Sequence, residues 1–177
     1  MKIPKYLEHL FDINYIKRNT PNYNNLPVAL RKSKMKGVGL YAAKNIKKGT
    51  IISLYRLTAF RADKYKSPIG TAYAFTIYTK RGNESSVLIG DLSVDSLPPP
   101  CGNIPFWAYF ANEPSGKQTQ NAYMNENLKY NYRNRNVIRA GDTVVYKLIA
   151  NKNIKKGTEI IWCYGEDYIR NYEPNCN

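Results

Sequence analysis

Apolar residues recur first at helical spacing and then, over most of the chain, in short runs suited to strands. Ile3, Leu7, Leu10 and Phe11, with Pro4 placed for a first turn, predict a short amphipathic helix over residues 3–11. Asn19 to Pro27 holds two prolines and four asparagines and reads as a loop. From Ile51 onward β-branched and aromatic residues lie between turn residues, which predicts strands over Ile51 to Leu57, Tyr73 to Tyr78 and Val87 to Ile89. Lys80-Arg81-Gly82-Asn83 joins the last two as a hairpin. The run Pro98-Pro99-Pro100 suits neither a helix interior nor a central strand. A polar, Asn-rich connection from Met124 to Asn136 precedes two more predicted strands, Val144 to Ile149 and Glu159 to Cys163. The pattern is that of a mainly β chain with short helices.

One heptapeptide occurs twice, as Lys44-Asn45-Ile46-Lys47-Lys48-Gly49-Thr50 and as Lys152-Asn153-Ile154-Lys155-Lys156-Gly157-Thr158, 108 residues apart. Two copies at so long a spacing do not make a solenoid. Each reads as a turn with an inward isoleucine and a glycine at positive φ, opening a strand. The same device is therefore expected early and late in one fold.

The 177 residues are one domain's worth of chain and carry 27 Lys and Arg against 13 Asp and Glu, a net charge of +14. No apolar run approaches the roughly 18–20 residues of a membrane span, which excludes a helical membrane protein. Glu8 and Asp12 interrupt the first apolar stretch, so a secretory or transit peptide is not indicated and an intracellular protein is expected. Cys101, Cys163 and Cys176 make no C-x-x-C pair and His9 is the sole histidine, so reduced thiols and no metal are expected. The positive excess has two readings, a nucleic-acid footprint or a solubilising surface. Arg56, Lys64 and the cluster Arg133, Arg135 and Arg139 form a solvated face on one reading and a contact for DNA phosphates on the other. Abundant Asn, Lys and Tyr, at 20, 18 and 16 residues, suggest an AT-rich genome such as that of a large virus.

Three segments carry candidate chemistry. Lys36-Gly37-Val38-Gly39-Leu40-Tyr41-Ala42 introduces the first repeat, and its glycines let backbone approach a ligand. Tyr109-Phe110-Ala111-Asn112-Glu113-Pro114, followed by Asn121-Ala122, lies between the repeats. Glu159-Ile160-Ile161-Trp162-Cys163-Tyr164-Gly165 follows the second. In this order they resemble the opening, central and closing motifs of the SET-domain family of protein lysine methyltransferases, over roughly residues 31 to 168.

That resemblance implies a SET-domain fold of several small twisted sheets with a pseudoknot-like C-terminal closure. It divides the chain into an N-terminal extension (1–30), the SET domain (31–168) and a tail (169–177). It implies S-adenosyl-L-methionine held by Lys36, Gly37, Val38, Gly39, Asn112, Glu113 and Tyr164, with Tyr164 catalytic and Tyr109, Trp162 and Tyr168 lining the lysine channel. The chain departs from the family where Glu113 replaces its histidine and Pro114 its serine. Asn121 also follows Asn112 at a longer separation than in the family motif. The Cys-rich zinc segment is missing, with Tyr168 and Tyr172 in its place, which resembles the small viral members. A histone or histone-like packaging protein is the implied substrate, in the host nucleus or a viral factory. DNA contact through the basic surface and a homodimer are further expectations. Glu159, Glu166, Asp167 and Glu173, close in sequence to Tyr164, are expected to receive a basic tail. Loss of the histidine leaves one alternative, a catalytically inactive SET-like basic domain that binds nucleic acid or chromatin.

Overall fold

The computed structural model describes residues 3–33, 37–81, 84–92, 97–126, 138–166, 168 and 170–176. Seven strands form two sheets. β1 (Val28–Ser33) pairs antiparallel with β2 (Gly37–Ala42). The larger sheet combines β3 (Ile51–Arg61), β4 (Phe75–Arg81), β5 (Glu84–Leu92), β6 (Ala122–Asn125) and β7 (Thr143–Ala150) in the order β4-β5-β3-β7-β6. β3 is central because its first half pairs with β7 and its last residues with β5. Burial on both faces explains the nearly unbroken apolar run from Ile51 to Tyr55. The architecture is the expected mainly β arrangement of small sheets with short helices.

The helix predicted over residues 3–11 is a shorter 3-10 helix, and a second helix that was not predicted follows it. Lys5–Leu10 is a 3-10 helix that ends where the Phe11 amide donates to the Glu8 carbonyl, and α1 (Ile13–Asn19) starts afresh behind Asp12. The Asp12 carboxylate accepts the Asn14 and Tyr15 amides, a side-chain cap that separates the two elements. Leu7, Leu10 and Ile16 all enter the core, so the extension packs on the domain. β1, β2 and β6 were not predicted, and the loop at 19–27 contains a short 3-10 turn at Tyr23–Asn25. Tyr73 closes a 3-10 turn ahead of β4 and is not the start of a strand. Most of the Asn-rich connection, residues 127–137, lies outside the described residues, as do Arg133 and Arg135.

The two heptapeptides pair with each other. Ile46 and Ile154 form an antiparallel bridge, each amide donating to the other's carbonyl at 2.8 Å. Asn153 Oδ1 accepts the Lys48 amide at 2.9 Å and Asn45 Oδ1 the Lys156 amide at 2.8 Å. The Gly49 amide donates to Ala150 at 2.8 Å and the Gly157 amide to Ala42 at 2.7 Å. Every contact thus has its counterpart under a local two-fold exchange of the copies. Both isoleucines are buried, and Gly49 and Gly157 sit at φ of 83° and 85°. The four lysines at 47, 48, 155 and 156 face solvent.

Two expectations need correction. Residues 159–163 form isolated bridges and no strand, because the segment changes partners within two residues, from Tyr41 of β2 at Glu159 to Asn112 at Ile161. Passing between segments from two distant parts of the chain, it makes the pseudoknot-like closure. Cys163 and Cys176 form a disulfide, which overturns the expectation of three reduced thiols. Sequence spacing did not reveal it because the pairing follows from the path of the segment between them. Cys101 is free and exposed. Among the described residues no helix is long and apolar enough to cross a membrane.

Because the paired turns are equivalent, Gly49→Ala and Gly157→Ala should each lower the unfolding free energy by about 1–2 kcal/mol, the cost of a Cβ at left-handed φ. Urea denaturation measures both. A loss confined to one of the two would contradict the equivalence.

Candidate active site

Asn121 holds the segment that carries the third motif. It is buried, its Oδ1 accepts the Ile161 amide at 3.0 Å, and its Nδ2 donates to the Glu159 carbonyl at 2.8 Å. On the same side the Asn121 and Ala122 amides donate to the Ile161 carbonyl, and on the other the Trp162 amide donates to the Asn112 carbonyl at 3.0 Å. The Ile160 amide reaches Leu40 of β2 at 2.7 Å. Glycines, asparagines and the closing tyrosine, far apart in sequence, are thereby brought to one place.

Gly39 is required by space. A Cβ there would lie 2.7 Å from Glu159 Oε1 and 3.1 Å from Asn112 Nδ2. Those two side chains meet across it, Asn112 Nδ2 donating to Glu159 Oε1 at 2.9 Å and, at 3.4 Å, to the Val38 carbonyl. Gln118 Nε2 donates to the other Glu159 oxygen at 3.1 Å. Glu159 is therefore engaged inside the motif junction, which removes it from the expected acidic patch. Asp167 of that patch, and Lys36 of the glycine segment, lie outside the described residues.

Tyr164 follows with its hydroxyl donating to the Ala111 carbonyl at 2.8 Å and its amide donating to Glu113 Oε1 at 2.9 Å. Glu113 is 1% exposed, a carboxylate that burial alone would penalise heavily. Arg170 compensates with two hydrogen bonds, Nη2 to Oε1 at 2.8 Å and Nε to Oε2 at 3.0 Å, and Tyr172 Oη adds a third to Oε2 at 2.8 Å. The replacement of histidine by Glu113 is thus answered by a partner 57 residues away. Arg170 was missed in the sequence; its being the sole Lys or Arg after Tyr164 was the available signal.

A cavity of about 1550 Å³ opens on this junction. It exceeds the roughly 300–1,000 Å³ of a pocket for one small ligand. Gly37, Val38, Asn112, Glu113 and Tyr164 line it, as do the expected channel residues Tyr109, Trp162 and Tyr168. Tyr55, Tyr73 and Phe75 join them and were not anticipated. The rings follow one another, Phe75 parallel to Trp162 with centroids 6.1 Å apart, Trp162 tilted against Tyr164 at 5.0 Å, and Tyr164 meeting Tyr168 edge-on at 4.8 Å. The Tyr109 hydroxyl turns away and donates to the Leu10 carbonyl at 2.6 Å, so this residue offers the cavity its ring. Exposed Glu173 also lines the cavity, together with Glu126, which sequence reasoning did not single out.

Burial raises the Tyr164 hydroxyl well above 10, its ordinary value, with the nearby Tyr168, Tyr172 and Glu113 groups adding to the effect. Tyr55 and Tyr109 are raised for the same first reason. Tyr164 is accordingly a neutral phenol at physiological pH. With its proton directed to Ala111, its oxygen lone pairs can accept a hydrogen bond from a guest amine or water. The arrangement can desolvate and orient a small polar group, and its tyrosines supply no strong base.

The SET domain family profile matches residues 37–165. No curated protein sequence matches the chain. Among solved structures, a candidate histone methyltransferase of Plasmodium falciparum aligns with a TM-score of 0.48 and 19% identity, over 81% of this chain and 97% of that one. The methyltransferase domain of human PR domain-containing protein 2 aligns with a TM-score of 0.43 and 17% identity, over 95% of this chain and 88% of that one.

The raised tyrosines set a stability limit in alkali. In the unfolded chain they ionise near 10, so their contribution is fully present below about pH 10 and is lost as pH rises toward the folded-state values. The melting temperature should fall above pH 10, with part of the phenolate absorbance appearing only on unfolding, and Tyr164→Phe should reduce the slope. Ionisation of every tyrosine near pH 10 in the folded protein would contradict this.

Proposed function

The chain belongs to the SET-domain family, and from that membership we propose that it is an S-adenosyl-L-methionine-dependent protein-lysine N-methyltransferase. The observation that carries the proposal is the convergence of Gly37, Val38, Asn112 and Tyr164 on one aromatic cavity large enough for a cofactor and a substrate side chain. Gly39 and the Asn112–Glu159 pair bring backbone close together where the cofactor is to be held. Gly37, Val38, Asn112 and the backbone at Glu113 are assigned to its binding, with Lys36 beside them. S-adenosyl-L-methionine supplies an electrophilic sulfonium methyl group when bound.

The chain's own task is to deliver a neutral amine. A lysine with pKa ~10.4 is only ~10⁻³ neutral near pH 7.4, a deficit of about 4 kcal/mol. Burial among Tyr55, Phe75, Trp162, Tyr164 and Tyr168 disfavours the ammonium form by desolvation. The Tyr164 oxygen, its proton committed to Ala111, accepts an amine N–H and orients the nitrogen. The rings keep water from the nucleophile. Trp162, wedged between Phe75 and Tyr164, narrows the space beside that nitrogen and limits how many methyl groups it accepts.

The proposed substrate is a basic tail, as of a histone or a histone-like packaging protein, with Glu126, Glu166 and Glu173 facing its flanking cations. The solvent-facing lysines of the paired turns suit docking beside DNA, in a nucleus or viral factory, and an AT-rich viral source agrees with the composition. The +14 charge also supports the second reading, an inactive domain that binds nucleic acid.

Calorimetry with S-adenosyl-L-methionine separates the two, and mass spectrometry of core histones follows transfer. Binding is expected, with methylation falling by about a hundredfold in Tyr164→Phe while cofactor affinity falls far less. No binding at millimolar cofactor would sink the enzyme reading. Trp162→Phe should raise the number of methyl groups per lysine; an unchanged product distribution removes its assigned role.

A further inference from the structure

Residues 163–176 leave the site at Cys163 and return to it at Cys176, where the disulfide closes the loop with a Cα–Cα distance of 5.8 Å. Among its described residues this strap contains no helix or strand. Its position therefore depends on discrete attachments. The inner one is Glu113, which binds Arg170 and Tyr172 while also receiving the Tyr164 amide. Arg170 Nη2 further donates to the Gly165 carbonyl at 2.6 Å, tying the strap across its own base. Near the returning end, Asn175 Nδ2 donates to the Gln118 carbonyl at 3.0 Å. The outer attachment is the disulfide, whose two cysteines are only half-buried and so within reach of a thiol reagent.

The strap carries Tyr168, Tyr172 and Glu173, all of which line the cavity, whereas Gly37, Val38 and Asn112 belong to other segments. We propose that Cys163–Cys176 is a redox modification site that locks this wall of the substrate channel, with Glu113 as the positioning residue that seats the strap from inside. The proposal rests on the methyltransferase reading for its effect on turnover, though not for its effect on the strap. A dithiol reductant opens the lock by exchange: its thiolate attacks one cysteine sulfur, its second thiol resolves the mixed disulfide, and the reductant leaves as a cyclic disulfide. Two electrons and two protons pass to the protein, leaving Cys163 and Cys176 as thiols. The returning end is then held by hydrogen bonds alone, and the channel loses a preorganised wall while the cofactor residues keep theirs.

The full chain with Cys101→Ser, which removes the exposed third thiol, provides the test. It is treated with oxidised or reduced dithiothreitol and mapped by non-reducing mass spectrometry. Trypsin cleavage after Arg170 reads the strap independently of activity. The oxidised protein should contain the 163–176 bond and resist this cleavage; reduction should speed it roughly tenfold and raise the KM for a lysine peptide by about the same factor, with cofactor affinity unchanged. Cys176→Ser should behave as the reduced protein and ignore dithiothreitol, and Glu113→Gln should expose Arg170 even when oxidised. Failure to form the bond under oxidising conditions, or equal cleavage in both states, overturns the proposal. Cleavage that responds to redox without any methyl transfer upholds the lock and refutes the enzyme reading.

Discussion

The structure depends on the double grip that Asn121 exerts on the backbone at Glu159 and Ile161. A buried amide side chain that matches one acceptor and one donor of a neighbouring chain segment acts as a short piece of sheet without requiring a strand. On the opposite side the Asn112 carbonyl receives Trp162, so the segment is pinned from two directions within four residues. Tyr164 can face Ala111 only because of this passage. The loop from Asn112 to Asn121 has room to diverge from the family pattern provided that both its ends reach Ile161.

The paired heptapeptides provide the frame for that passage. Their exchange of Ile46 and Ile154 amides brings the approach to β3 beside the approach to the closing segment, and the alanines on either side accept the partner's glycine amide. Lysines in these turns point to water because the isoleucine between them points inward. Six of the 27 Lys and Arg residues are thus a consequence of turn construction, and the value of their charge as a sign of a nucleic-acid ligand falls accordingly. The negative charges that matter most, on Glu113 and Glu159, are enclosed by Arg170, Asn112 and Gln118.

Features with a local cause were legible in the sequence. Gly37, Val38, Asn112, Trp162, Tyr164 and Tyr168 do border one cavity, and the repeated turn has the inward isoleucine and positive-φ glycine that its composition demands. Features that depend on distant partners were not. β6 is short and half-exposed, and residues 159–163 change partners too soon to register as a strand, so periodicity misjudged both. The Glu113–Arg170 pair and the Cys163–Cys176 bond arise from the path of the chain after Tyr164, which has no regular hydrophobic period to announce it. Tyr109 lay in the right place, but its hydroxyl serves the N-terminal extension through Leu10.

Under the proposed function the glycine segment, the Asn112 turn and Tyr164 form one cofactor-binding surface. Amide-resolved NMR during titration with S-adenosyl-L-methionine examines it most directly. Shifts should concentrate at Gly37, Val38, Gly39, Asn112, Glu113 and Tyr164 and saturate together with one affinity. Shifts absent from these amides, or confined to the lysine-bearing turns at 47–48 and 155–156, would contradict it.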